Sequence, residues 1–194
     1  MGETPGTSRG RRDADLVEGI RRGNMRDFSV LVDRYRDRAY TLASRILGDP
    51  ASAEEAVQDA FLKAYRGIST FRGDAAFGTW FYRIVYNCCL TRTRRIAPAR
   101  ISLEEAESEE PVSDEPAADE QMETREMAEL IDQILGKLPP QWRSVVTLYY
   151  IDELRYEEIA EILGVPLGTV KTHLFRARSR MKKLAHQTVG EERT

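Results

Sequence analysis

The chain has 194 residues, 41% of them hydrophobic, with a formal net charge of -3 and two cysteines, which suits one domain or two small ones with real cores. No uninterrupted apolar run approaches the roughly 18 residues of a membrane span, and the opening MGETPGTSRGRRDAD has no apolar stretch of the secretory kind, so a soluble, cytoplasmic protein without membrane insertion is expected. Glycine-rich phosphate loops, a histidine paired with a nucleophile and metal-ligand spacings are all missing from the sequence. No enzyme, no metal and no cofactor is therefore expected.

The small net charge conceals an asymmetry. Residues 97 to 123, APARISLEEAESEEPVSDEPAADEQME, carry ten acids against Arg100 alone, a net of -9 that leaves +6 for everything else. Rich in acid, containing proline and lacking aromatics, such a stretch cannot bury enough apolar area to offset its ordering entropy. The expected organisation is all-α: a helical domain over 13–96, a flexible acidic linker over 97–122 and a second small helical domain over 123–186.

Helical periodicity runs from Asp13 to about Arg22 and again from Asn24 to Leu47, where Phe28, Leu31, Tyr35, Tyr40, Leu42 and Ile46 recur among charges. GDP at 48–50 ends that helix. ASAEEAVQDAFLKAYRGI opens the next, with Asp49 or Ser52 near the N-cap and acids expected in the first turn, where the helix dipole favours them. Its apolar stripe is Ala56 or Val57, Ala60, Phe61, Ala64 and Ile68. Glu54, Glu55, Gln58, Asp59 and Lys63 are left outside, which by composition is a solvated face.

FRGDAAFGTWFYRIVYNCCLTRTRR, residues 71–95, begins as a loop around Gly73 and Gly78 and becomes a helix that is apolar nearly all round. Such a helix is either central to its domain or carries an aromatic surface in use. Asn87 needs hydrogen-bond partners if buried. Aromatics followed by Arg92, Arg94 and Arg95 also have the composition of a platform for single-stranded nucleic acid, where bases stack on rings and cations follow the backbone. Cys88 and Cys89, adjacent and without histidines at ligand spacing, read as core thiols.

In the C-terminal half, ETREMAELIDQILGKL and PPQWRSVVTLYYIDEL give two amphipathic helices, the second opened by prolines where no donor is needed. YEEIAEIL, a turn starting at Gly164 and TVKTHLFRARSRMKKL then form a helix-turn-helix pattern. Along the last helix Val170, Leu174, Ala177, Met181 and Leu184 step by fours and threes into one buried stripe. Phe175 falls roughly 140° from its centre, on the side of Lys171, Thr172, Arg178, Ser179 and Lys182. An outward Phe among cations is explained by a helix lying in a major groove, where apolar groups meet thymine methyls, Lys or Arg meet guanine edges and neighbouring cations hold phosphates.

Taken together, SAEEAVQDAFLKAY, FRGDAAFGTWFYRIVYN and YEEIAEILGVPLGTVKTHLFRAR, in that order with an acidic stretch before the third, make the chain resemble the extracytoplasmic-function group of the sigma-70 family, over about Asp13 to Leu184. The resemblance implies a transcription initiation factor without chemistry of its own, whose partners are core RNA polymerase, promoter DNA and an anti-sigma factor. It implies that Glu54, Glu55, Gln58, Asp59 and Phe61 dock on core polymerase. It implies that the loop Phe71, Arg72, Gly73, Asp74, Ala75, Ala76 and Phe77 receives a flipped base of the minus-ten element, supported by Trp80 and Asn87. Lys171, Thr172, Phe175 and Arg176 match positions that read the minus-thirty-five element.

Two positions depart from the family pattern. Arg155 stands where Ser or Thr usually caps the YEEIA helix, so a cap worth about 1 kcal/mol is missing, and Arg155, like Arg178, is assigned to a DNA phosphate. His173 replaces a frequent Arg. The competing reading is a two-component-type activator, because TVKTHL is also typical of that helix-turn-helix group; the N-terminal half lacks the strand and helix alternation of a receiver domain. An inactive sigma-like adaptor is a further alternative, against which Lys171, Arg176 and the 71–77 loop speak.

Overall fold

A computed structural model describes residues 12–96 and 124–191. The acidic linker expected over 97–122 lies outside the described residues. Eight helices occupy them in the order α1 (Asp13–Arg21), α2 (Met25–Leu47), α3 (Pro50–Gly67), α4 (Phe77–Ile96), α5 (Thr124–Gly136), α6 (Pro140–Tyr150), α7 (Tyr156–Leu163) and α8 (Leu167–Glu191), and no strand is present among the described residues.

Local chemistry sets the boundaries. Asn24 caps α2 by accepting from the Arg26 amide, and α2 ends at Gly48 in the left-handed region. Asp49, and not Ser52, caps α3, its carboxylate accepting from the Ser52 amide at 2.8 Å, with Pro50 at the first helical position. The first turn of α3 therefore contains no acid. Glu54 and Glu55 sit a turn deeper, beyond the reach of the dipole at the helix start, so their presence is not explained by helix electrostatics.

The apolar helix α4 is central. Phe81, Val85 and Cys89 are fully buried, and Tyr82 and Cys88 nearly so, because α2 and α3 cover one side and α7 of the other half covers another. Asn87 is exposed and so needs no buried partner. Truncating Phe81, which packs against Phe61, Phe77 and Tyr35, is expected to cost about 3–5 kcal/mol. Cys88 and Cys89 are free and buried; burial, reinforced by Cys88, pushes the Cys89 thiol up to about 12, which keeps it protonated and unreactive near neutrality.

In the C-terminal half Arg143 folds back from α6 to donate to the carbonyls of Gly136 and Leu138 at 2.8 and 2.9 Å, closing the α5–α6 turn. Arg155 begins α7. Its guanidinium has no acceptor atom and makes no cap bond, but its amide donates to Glu158 Oε2 at 2.9 Å, so one half of a capping box survives. Gly164 ends α7 at φ 67, a conformation that costs any residue with a Cβ. The helix after the turn starts at Leu167, two residues ahead of the expected Thr169, and runs past residue 186 to Glu191.

The two halves also pack on one another, α2 against α6 and α4 against α7. Tyr82 donates to Asp152 Oδ1 at 3.0 Å, Arg143 Nη1 to the Arg45 carbonyl at 2.7 Å, and Arg45 pairs with Asp132 at 3.1 Å. No local sequence pattern marks this joint, because its contacts pair residues far apart in the chain.

Candidate functional site

Three surfaces gather the singled-out residues. On α3 the buried positions Ala53, Ala56, Val57, Ala60 and Ala64 turn Glu54, Glu55, Gln58 and Asp59 to solvent. Arg92 reaches over from α4 and binds two of them, Nη1 to Glu55 Oε2 and Nη2 to Asp59 Oδ2, the latter at 2.8 Å. Gln58 donates to Glu54 Oε1 at 3.4 Å. Phe61 does not share the outward face: half-buried, it packs edge-on to Phe28 and tilted against Phe81. Leu62, Tyr65 and Met25 extend this face as exposed apolar surface.

The second surface is the loop before α4. Phe71 and Trp80 lie with ring centroids 4.9 Å apart, Phe77 is buried beneath them, and Arg21 holds the Phe71 carbonyl. Gly73 adopts φ 82. Arg72, Asp74 and Ala76 are exposed, and Ala75 partly so. Asn87 stands exposed further along α4, almost two turns beyond Trp80. The loop forms one wall of a cleft of about 610 Å³ whose other wall is α7, with Arg155, Glu157, Glu158 and Glu161, while Asp13 closes the end.

The third surface is the outer face of α8. Val170, Leu174 and Ala177 are buried, Leu184 nearly so, and Phe175 is 63% exposed, as the helical phase requires. Lys171, Thr172 and Arg176 are exposed beside it. Thr172 returns its hydroxyl to the Gly168 carbonyl at 2.9 Å. Arg178 is exposed but occupied: Nε donates to the Tyr150 hydroxyl at 2.6 Å, and the guanidinium lies over the rings of Tyr149 and Tyr150 at 5.6 and 5.4 Å. His173 is held below its ordinary pKa by burial and by Arg176, so it is neutral near pH 7 and brings no charge to this face. Arg155 is not on this surface; it lines the cleft, bound to Glu158 at 3.3 Å.

Sequence reasoning placed Arg92 in a basic run without its pairing to Glu55 and Asp59, and missed Arg21 and the tyrosines around Arg178. That pairing could have been found, since Arg92 follows Val85 and Cys89 by a step of four and then three, on the side of α4 that faces inward. Arg21 and the tyrosines carry no such signal, because their contacts join elements distant in sequence.

A wholly helical frame presenting a basic, Phe-bearing second helix behind a glycine-capped turn defines a helix-turn-helix protein of the DNA-binding kind. The family described as Sigma-70 region 2 matches residues 31–97, and the one described as Sigma-70, region 4 matches residues 128–181. The RNA polymerase sigma-H factor of Pseudomonas aeruginosa is 35% identical over 191 residues, spanning 93% of this chain and 97% of the relative. The ECF RNA polymerase sigma factor SigW of Bacillus subtilis is 36% identical over 174 residues, 86% of this chain and 93% of the relative. The ECF RNA polymerase sigma-E factor of Escherichia coli is 36% identical over 173 residues, 86% and 90%. Among solved structures, CnrH in complex with the cytosolic domain of CnrY superposes with a TM-score of 0.66 at 25% identity, covering 90% of this chain and 97% of that one. RpoE of Bartonella quintana, solved with the anti-sigma factor NepR, shares the fold at 0.65 and 22% identity, with 84% and 98% coverage. The chain belongs to the extracytoplasmic-function group of the sigma-70 family, and is a transcription initiation factor that directs RNA polymerase to promoters.

Proposed function

We propose that this chain reads the minus-thirty-five element as duplex through Lys171, Thr172, Phe175 and Arg176, takes a base of the melted minus-ten strand at the 71–77 loop, and docks on core polymerase through Glu54, Glu55, Gln58 and Asp59. The observation that carries the reading is the outer face of α8, where Phe175 stands 63% exposed between Lys171, Thr172 and Arg176 while the opposite stripe is buried. An apolar ring held out among cations loses by its exposure to water and gains in a groove that offers thymine methyls between phosphates.

Each of the other surfaces has a matching physical role. The Phe71 and Trp80 rings supply a stacking wall for an unpaired base, with Asn87 along the same helix. Glu55 and Asp59, fixed by Arg92, present oriented carboxylates next to the apolar Leu62 and Tyr65, the mix of charge and apolar area typical of a protein interface; Phe61 backs that surface from behind. Arg178, held by its tyrosines, is a phosphate contact whose direction is set before DNA arrives. Arg155 reaches a phosphate only if its bond to Glu158 is given up. The protein carries out no chemistry of its own and works in the cytoplasm; among the described residues no helix is long and apolar enough to cross a membrane. Its regulation is by an anti-sigma factor, a reading supported by its likeness to CnrH, which was solved bound to CnrY.

The test is Phe175→Ala in polymerase holoenzyme on a promoter series. A loss of roughly 1–3 kcal/mol at one base pair, abolished when its thymine is replaced, is expected. An equal loss at every sequence, or a fall of several degrees in the melting temperature, overturns base reading by this residue.

A further inference from the structure

Two of the three surfaces are carried by helices, α3 and α8, whereas the loop between α3 and α4 must have its shape held from outside. After α3 ends at Gly67, the Thr70 amide donates to the Gly67 carbonyl at 3.0 Å and the Phe71 amide to the Ile68 carbonyl at 3.4 Å, bringing the chain round to Phe71. Arg72, Gly73, Asp74 and Ala76 then stand exposed, with Gly73 in the left-handed region at φ 82. Backbone groups in such a segment must find side chains or water. The Phe71 carbonyl finds a side chain: Arg21 donates to it from the last turn of α1, 50 residues away in sequence.

α1 is a firm support. Its Leu16, Val17 and Ile20 are buried, and it packs on α2, where Tyr35 and Arg34 donate to Asp13 at its start. Tyr35 also meets Phe77, with ring centroids 5.4 Å apart, and a Cβ at Gly78 would lie 3.1 Å from its hydroxyl oxygen. The α1–α2 pair thus grips the loop at both ends, through Tyr35 at Phe77 and through Arg21 at Phe71. The two grips differ in kind. Phe77 is buried and belongs to the core, whereas the Phe71 ring is half-buried, resting on Trp80 and Phe77 at 4.9 and 6.0 Å, and its main chain is fastened by a polar contact. Arg21 is poorly placed to serve as a free cation for DNA, because Glu18 lies 3.9 Å from Nη1 while Nη2 is taken by the Phe71 carbonyl.

We propose that Arg21 is a positioning residue for the loop before α4: by fixing the Phe71 carbonyl it sets the Phe71 ring against Trp80, and with it the wall on which an unpaired base stacks. A ring that wanders loses its overlap with a base, so a stacking wall works in one geometry. For its function this role rests on the proposed reading of the loop.

The test has two arms, and the first uses the full chain without polymerase or promoter. In a Trp142→Phe background Trp80 is the sole tryptophan, and acrylamide quenching of its emission reads how well Phe71 covers it. Arg21→Met keeps the stem and removes the donor; Arg21→Lys keeps a donor of similar reach. Arg21→Met should raise the quenching constant roughly twofold as the ring cover loosens, Arg21→Lys should restore it, and circular dichroism should stay the same throughout. Unchanged quenching in Arg21→Met, or no recovery in Arg21→Lys, overturns positioning by Arg21. The second arm compares holoenzyme binding to a forked promoter with an unpaired minus-ten strand and to a duplex carrying the minus-thirty-five element alone. Arg21→Met should weaken binding to the fork roughly fivefold, a partial loss of one base stack, with an unchanged salt slope and unchanged binding to the duplex; Arg21→Lys should recover it. A salt slope reduced by about one unit makes Arg21 a phosphate contact and overturns the proposal. Native affinity for the fork by an Arg21→Met protein whose Trp80 has become exposed overturns base capture by the loop, while the first arm upholds the grip of Arg21 on its shape.

Discussion

The buried carboxylate of Asp152 should make the stability of the folded protein depend on pH in a direction opposite to most acids. Burial pushes its pKa from 3.8 up to about 6, only partly opposed by the Tyr82 hydroxyl from α4 and by Arg38 and Arg45 from α2. The folded state therefore holds this proton more tightly than the unfolded chain does. Its stabilising contribution is complete below about pH 4 and is lost as pH rises through about 6, after which it is flat. A shift of about two units at 1.36 kcal/mol each sets the size at up to about 3 kcal/mol, or on the order of 6–12 °C in melting temperature for a chain of this length. Other carboxylates titrate in the same range, and Asp49, lowered by its bonds from Ser52, acts in the opposite sense. The quantity to measure is accordingly the difference in melting temperature between Asp152→Asn and the native protein at a series of pH values. The difference should be small at pH 4, grow in favour of the variant to about pH 6.5, and then level off. A difference that does not change with pH refutes the argument, and one that grows toward acid pH reverses it.

The remaining expectations concern two of the three surfaces and one turn. Glu55→Arg with Asp59→Arg should abolish pull-down of core polymerase; because it sets two cations against Arg92, it should also lower the melting temperature, so a matched variant, Arg92→Gln, is needed to separate fold from docking. Unchanged capture of core by the folded double variant contradicts the docking role. Arg178→Ala should weaken binding to all promoter sequences alike and reduce the salt slope by about one unit; a sequence-dependent loss would instead make Arg178 a base reader. Gly164→Ala forces a Cβ into the left-handed turn between α7 and α8 and should cost about 1 kcal/mol, read as a fall of a few degrees in thermal unfolding. No fall means the turn relaxes to another conformation.

Much of this architecture was legible because it is local. The step of fours and threes through Val170, Leu174 and Ala177 fixes which way Phe175 points, and the same arithmetic turns Glu54, Glu55, Gln58 and Asp59 outward on α3. Gly48 and Gly164 mark helix ends that only they can adopt cheaply. The apolar circumference of α4 could be read as central or as a used surface, and the structure resolves it by supplying α7 as the second cover. What could not be read depends on distant pairings. Tyr82 looks like one more apolar residue of α4, and Asp152 like a loop acid, until packing brings their side chains to 3.0 Å. Arg92 reads as part of a basic run, and its claim on Glu55 and Asp59 needs the crossing of α3 with α4. Its place at the start of the motif points Arg155 at DNA, whereas in the structure it lines the cleft with the 71–77 loop; helix phase alone does not say which half a side chain will face.

What defines this chain is that it confers promoter choice on polymerase. The most direct measurement is run-off transcription by core polymerase over a genomic fragment library, with and without the protein, followed by sequencing of the start sites. New starts are expected that appear only with the protein, share a minus-thirty-five and a minus-ten element, and are lost with Phe175→Ala at those whose upstream element carries the matching thymine. Starts that are the same with and without the protein, or new starts with no shared upstream sequence, would contradict it.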